Sequence, residues 1–238
     1  MIKPLLSYCL IFVFSLQLFS QKKADSKYKA LEYNKFKSFY TTAVTFQDTS
    51  AMINGLIGIL SIYPQDTESL KKLSQLYFVV ENYNSALFAC RRYIELAPND
   101  IDILKIQATC MQINMQYDDA LLLYTELFYR TRQPYYKYLA ANMEYELFRQ
   151  AECLKTIADC LNLPTADKDQ VEIKVEENHS QWVSIKAACL NLRGLALLDM
   201  KEMEQARSAF EESLKISPDF IMAQRNLQLM QAPKHNGQ

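Results

Sequence analysis

Apolar residues along most of the chain recur every three to four positions. From Leu70, the stretch LKKLSQLYFVVENYNSALFACRRYIELAPND carries Leu70, Leu73, Ser74 and Tyr77, then Tyr83 and Ala86, and ends on Pro98 and Asp100. That spacing predicts two amphipathic helices joined by a short turn. The same order returns 34 residues later as Leu104, Ala108, Met111, Tyr117 and Ala120. One step back, Pro64 matches Pro98, and Phe36 and Phe39 stand where Leu70 and Leu73 do. Met52 replaces the expected alanine, so this first copy is degenerate. Further on, Tyr136, Leu139, Ala140, Met143, Phe148, Ala151 and Pro164 make an irregular copy whose helix connection is one residue shorter. Leu190, Gly194, Leu197, Met203, Ala206, Phe210 and Pro218 make the fullest one.

The pattern has a packing reason. Gly194 and Ala206 are small where two helices are expected to cross, while Leu197, Phe210 and Leu214 fill the space around the crossing. Pro218 cannot continue a helix and biases Ser217 toward an extended conformation, which ends the second helix. Asp219 is then expected to cap a last helix, Phe220 to Met230. A single helix pair cannot bury its apolar face alone, so the units must stack and that last helix must cover the end of the stack.

Two stretches break the period. Pro164 to Pro218 spans 54 residues, 20 more than one repeat, and the excess holds TADKDQVEIKVEENHSQW. Val171, Ile173 and Val175 alternate with charges there, which suits a short extended segment and a polar loop equally. At the N-terminus, Lys3 precedes an apolar run from Leu5 to Phe19 and then a polar continuation. The run falls short of the roughly 20 residues of a membrane span and reads as a secretory signal peptide cut near Ser20 and Gln21. Leu18 stands where a small residue is preferred, so retention as an anchor is the alternative.

These repeats resemble the tetratricopeptide repeat, a 34-residue helix-turn-helix with small residues at the crossing and a proline near its end. The resemblance runs from about Tyr33 to Met230, with copies at 33–66, 67–100, 101–133, 134–166 and 187–220. It implies an all-α, right-handed solenoid of antiparallel helix pairs with a C-terminal capping helix. The organisation expected is a signal peptide (1–20), a lead-in (21–32), repeats (33–166), an insertion loop (167–181), a final repeat with its cap (182–231) and a disordered tail (232–238). In tetratricopeptide proteins the first helix of each unit lines the concave face. By that resemblance Lys71, Gln75, Phe78, Lys105, Thr109, Gln112, Tyr136, Asn191, Leu195 and Leu198 form a peptide-binding surface. The lysine and asparagine clamp of chaperone-binding relatives is not reproduced, since Gln75 and Thr109 stand at asparagine positions.

Charge and composition narrow the function further. The 26 basic and 27 acidic residues are interspersed, so no basic stripe marks a nucleic-acid partner. Only 4 glycines and 7 prolines leave too few turn formers for a many-stranded β fold. Beyond the first segment lie Cys90, Cys110, Cys153, Cys160 and Cys189, an odd set that reads as small core residues. Cys153 and Cys160 on one helix would sit ~10.5 Å apart, beyond disulfide reach. His179 and His235 lack neighbours at metal-ligand spacing, and no phosphate loop or nucleophile elbow is present, so no catalytic residue, metal or cofactor is expected. The expectation is a non-catalytic exported scaffold of the cell envelope, periplasmic or secreted, that binds a protein or peptide and has no membrane span in its mature form. It is similar to the exported tetratricopeptide proteins of Bacteroidetes over KAACLNLRGLALLDMKEMEQARSAFEESLKISPDF. The alternatives are an envelope-polymer hydrolase centred on His179 and Trp182, and a membrane-tethered assembly subunit.

Overall fold

The computed structural model describes residues 25–177 and 179–231. The expected signal peptide, the tail and His235 lie outside the described residues. The chain divides into two compact units, with the division falling after Ile103.

The first unit contains α1 (residues 25–45), α2 (Thr49–Ile62), α3 (Thr67–Val79) and α4 (Tyr83–Leu96). Helix α1 begins inside the stretch read as a lead-in. The degenerate copy replaces its missing alanine with glycine: a Cβ on Gly58 would lie 2.1 Å from the Phe36 ring, and one on Gly55 would lie 2.9 Å from Tyr40 Cβ. The close approach expected at Met52 is therefore made one and two turns further along α2. Leu56, Ile59, Leu73 and Ala89 form the adjoining core, with Tyr33, Phe36 and Tyr40 packed against it.

The second unit holds most of α5 (Ile101–Ile113), then α6 (Tyr117–Thr131), α7 (Pro134–Glu146) and α8 (Gln150–Leu161). After these come β1 (Gln170–Glu176), β2 (His179–Ser184), α9 (Ile185–Asp199), α10 (Met203–Ile216) and α11 (Ile221–Gln231). Sequence left the insertion open between strand and loop; it is an antiparallel hairpin, with Val171 opposite Val183 and Ile173 opposite Gln181. Val171 and Val183 are buried in one core with Tyr138, Ile157, Leu192 and Phe220, which explains why the alternation is apolar on one side only. Pairing continues to Ser184, whose side chain then caps α9 by accepting from the Ala187 amide at 3.2 Å. The first helix of the last repeat thus starts at Ile185.

The connections inside the helix pairs preserve the period in their backbone. Gln47, Glu81, Met115, Phe148 and Lys201 all adopt positive φ, between 56° and 65°. Each turn closes with paired bonds, as where the Asn82 amide reaches Tyr77 O at 2.9 Å and the Glu81 amide reaches Phe78 O at 3.0 Å. This is a helix C-terminus in which two orphan carbonyls are satisfied by a left-handed residue. Glycine usually fills that position; here ordinary residues do, which is how so few glycines suffice. The shorter connection expected inside the 134–166 copy is not there: residues 147–149 make a three-residue turn like 80–82 and 114–116. The period shortens before α7, where only residues 132–133 follow α6 against 97–100 after α4, so Phe148 follows Met115 by 33 residues.

Helix α11 covers the end of the second unit as expected: Phe220 and Ala223 enter the main core, and Leu227 and Met230 pack on the Leu197–Phe210 cluster. Its cap differs from expectation. Gln181 of β2, not Asp219, accepts through Oε1 from the Ile221 amide at 3.0 Å, and Gln181 Nε2 donates to Asp219 O at 2.8 Å. Cys90, Cys110, Cys153, Cys160 and Cys189 are free thiols and all buried. Burial pushes the Cys110 thiol up to about 11 and the Cys153 thiol up to about 12, so both remain protonated, inert core groups.

Candidate functional site

Helices α5, α7 and α9 are the first helices of their pairs, and together with β1 they line a cavity of about 340 Å³. Thr109 and Gln112 come from α5, Asn191 and Leu195 from α9, and the floor is completed by Tyr124 and Met222. From α7 the lining residues are Tyr135, Tyr138, Leu139 and Asn142. That i, i+3, i+4, i+7 set is one helical face.

The remaining expected residues lie elsewhere. Tyr136 is not a groove residue: it is only 5% exposed, and its ring meets Tyr135 edge-on at 5.3 Å. The α6–α7 connection is only residues 132–133, which shifts the phase of α7, and one residue turns a side chain by about 100°. Tyr135, 37% exposed, takes the place assigned to Tyr136. Lys105 and Leu198 are half-buried outside the lining, with Leu198 packed on the Phe210 cluster. In the first unit, Gln75 is exposed, Phe78 packs edge-on against Tyr83 at 5.8 Å, and Lys71 is held by Asp100 at 2.6 Å.

The amides in the cavity are oriented by bonds behind them. Tyr124 donates its hydroxyl to Gln112 Oε1 at 2.6 Å, and Asn226 of α11 donates to Asn191 Oδ1 at 2.9 Å. Burial raises the Tyr124 pKa, so the phenol stays a donor. With both carbonyl oxygens occupied, the amide nitrogens of Gln112 and Asn191 are left as donors toward the cavity. Aromatic surface from Tyr135, aliphatic surface from Leu139 and Leu195 and two oriented donors suit a ligand with carbonyl oxygens and apolar side chains. Glu172 and Lys174 of β1 add one charge of each sign to the lining.

Another cavity, about 280 Å³, is lined by Lys137, Glu144, Glu152, Lys155, Thr156 and Asp159 among others. Lys137 pairs there with Asp159 at 3.1 Å, and burial holds the Glu144 carboxyl above its ordinary range. Among the described residues no group of three or more His, Cys, Asp or Glu side chains is placed to hold a metal ion. His179 and Trp182 are exposed, and neither lines the α5–α7–α9 cavity. No helix among the described residues is long and apolar enough to cross a membrane.

A family model described as tetratricopeptide repeat matches residues 187–220. A search of curated proteins returns no match. Among solved structures, the chain is similar to YrrB, described as a TPR protein with an unusual peptide-binding site, with a TM-score of 0.64 and 14% identity over 84% of this chain and 96% of that one. It is similar to MamA with a TM-score of 0.60 and 12% identity over 79% of this chain and 92% of that one. MamA from Desulfovibrio magneticus RS-1 gives 0.58 and 10% identity over 80% and 97%. At these identities the likeness is one of fold.

Proposed function

Since the chain is a tetratricopeptide repeat protein, we propose that it is a non-catalytic scaffold, exported to the cell envelope, that holds an extended peptide segment of a protein partner in the α5–α7–α9 cavity. The observation that carries this reading is the convergence of oriented amide donors and apolar surface from three successive first helices. Amide donors recognise backbone carbonyls whatever the side chains, while Tyr135 and Leu195 supply contact area. YrrB, of the same fold, is described as binding peptide, which supports the choice of ligand class. The exposure of His179 and Trp182 favours the scaffold over the hydrolase.

The test is selection of a phage-displayed library of random 12-residue peptides on purified protein comprising residues 21–238. Peptides are expected to be enriched, and Tyr135→Ala is expected to weaken them about tenfold, the cost of removing an aromatic anchor. Failure to enrich any peptide, or enrichment indifferent to Tyr135→Ala and Asn191→Ala, would sink the reading. Export is tested separately by N-terminal sequencing of the protein recovered from its native envelope. The expected new terminus is Gln21; an intact Met1 would favour the tethered alternative.

A further inference from the structure

The outward edge of β1 has no backbone partner among the described residues. The Ile185 amide donates to Asp169 O at 2.9 Å, which makes 169 and 185 a hydrogen-bonded pair. In an antiparallel ladder such pairs alternate with non-bonded ones. Given the register, Val171–Val183 and Ile173–Gln181 exchange bonds, while Glu172 opposite Trp182 and Lys174 opposite Ser180 turn their N–H and C=O groups away from β2. Among the described residues no backbone group outside the hairpin reaches the amides or carbonyls of Glu172 and Lys174. The bond to the β1 backbone from α11 goes instead to Val175 O, from Arg225 at 3.3 Å. Four consecutive β1 residues, Val171 to Lys174, line the α5–α7–α9 cavity, and no β2 residue does. An open strand edge therefore borders the cavity.

We propose that the bound peptide adds to this edge as a third, antiparallel strand. An open edge is a template for such pairing, with main-chain bonds giving affinity and alternate side chains giving selectivity. The charges define the peptide. Opposite charges directly across a strand pair stabilise and like charges destabilise, so the peptide carries an acid facing Lys174, an apolar residue facing Ile173 and a base facing Glu172. Read from its N-terminus it is acid–apolar–base. This rests on the peptide-binding reading above and names the segment that reading leaves open. The β1 sequence QVEIKVE itself contains the pattern, as Glu172-Ile173-Lys174, so a peptide copying residues 170–176 is a suitable probe.

The decisive variant is Glu172→Pro. Its ring removes only an outward amide, which the hairpin does not use, and proline is tolerated where an edge N–H faces outward. In fluorescence anisotropy titrations, labelled QVEIKVE is expected to bind the wild type. Binding should weaken about tenfold in Glu172→Pro, the effect of one main-chain hydrogen bond, and about threefold or less in Glu172→Gln. The charge-reversed peptide QVKIEVE should bind more weakly than QVEIKVE. Circular dichroism and a thermal melt check that Glu172→Pro keeps the fold; if it does not, Lys174→Pro, which removes the other outward amide, takes its place. Equal binding by wild type and a folded proline variant would overturn strand addition. If the library-selected peptides remain sensitive to Tyr135→Ala at the same time, the cavity reading survives alone; if they respond to neither variant, both fall. A concentration-dependent dimer of the wild type in sedimentation, abolished by Glu172→Pro, would overturn the partner peptide in favour of a second copy of the chain.

Discussion

Truncating Phe210 to alanine is expected to lower stability by about 3–5 kcal/mol, the cost of deleting a large buried aromatic side chain. Phe210 is 0% exposed and sits in a cluster with Leu197, Ala206 and Ala209, sealed by Leu227 and Met230 of the covering helix. Its ring lies over Gly194, where an added Cβ would stand 2.4 Å from Cε1 and 2.6 Å from Cδ1. Gly194→Ala alone should therefore overpack the crossing and cost about 1–3 kcal/mol. The two changes compete for one volume, so the double variant should be less destabilised than the sum by about 1 kcal/mol or more. Urea unfolding of all four proteins measures this. Simple additivity would mean that the residues do not share the crossing.

The second large effect is expected at Asp100. Its Oδ2 accepts from Lys71 Nζ at 2.6 Å and Tyr93 OH at 2.7 Å, while Oδ1 accepts from the amides of Asp102 at 3.1 Å and Ile103 at 3.3 Å. One carboxylate thus caps α5 and ties α3 to α4. Asp100→Ala removes the cap and strips a buried phenol and an ammonium of their acceptor, at about 2–4 kcal/mol together. Asp100→Asn keeps an acceptor for the amides and should cost less. Burial alone would raise the Asp100 pKa, but bonds from Lys71, Tyr93 and the Ile103 amide outweigh it and hold the carboxyl below its ordinary 3.8. The folded state then binds fewer protons than the unfolded one near that value. The stability contributed by the carboxylate is present above pH 3.8 and is lost as pH falls through the lower folded value. Unfolding free energies from pH 2 to 7 should show an acid limb in the wild type that is shallower in Asp100→Ala. Parallel limbs would show that other carboxylates set it.

The same contrast between near and distant causes separates what could be read along the chain from what could not. Tyr136 is expected in the groove when the irregular copy is aligned on its apolar residues; the phase of α7 is set instead by the short α6–α7 connection before it, and that moves Tyr135 in and Tyr136 under cover. The cap of α11 was assigned to the adjacent Asp219, and a side chain 40 positions away took the role. The degenerate first copy looked unable to bring its helices close at Met52, yet Gly55 and Gly58 do so against Tyr40 and Phe36.

Sequence alone determined the period, the helix pairs, the close crossing around Gly194 and Ala206 with Phe210 beside it, and the covering last helix, because each depends on contacts between residues close along the chain. Helix spacing, small residues and a terminal proline act within one or two turns, so they leave a mark wherever the unit is repeated. Only the tertiary structure decided that the insertion is a hairpin, that its β1 edge stays open beside the α5–α7–α9 cavity, and that Tyr124 and Asn226 aim the amides of Gln112 and Asn191. A strand of three alternating apolar residues gains its conformation from a partner strand and the core beneath it. An amide's orientation is set by whichever donor the fold brings behind it, and neither is written in local spacing.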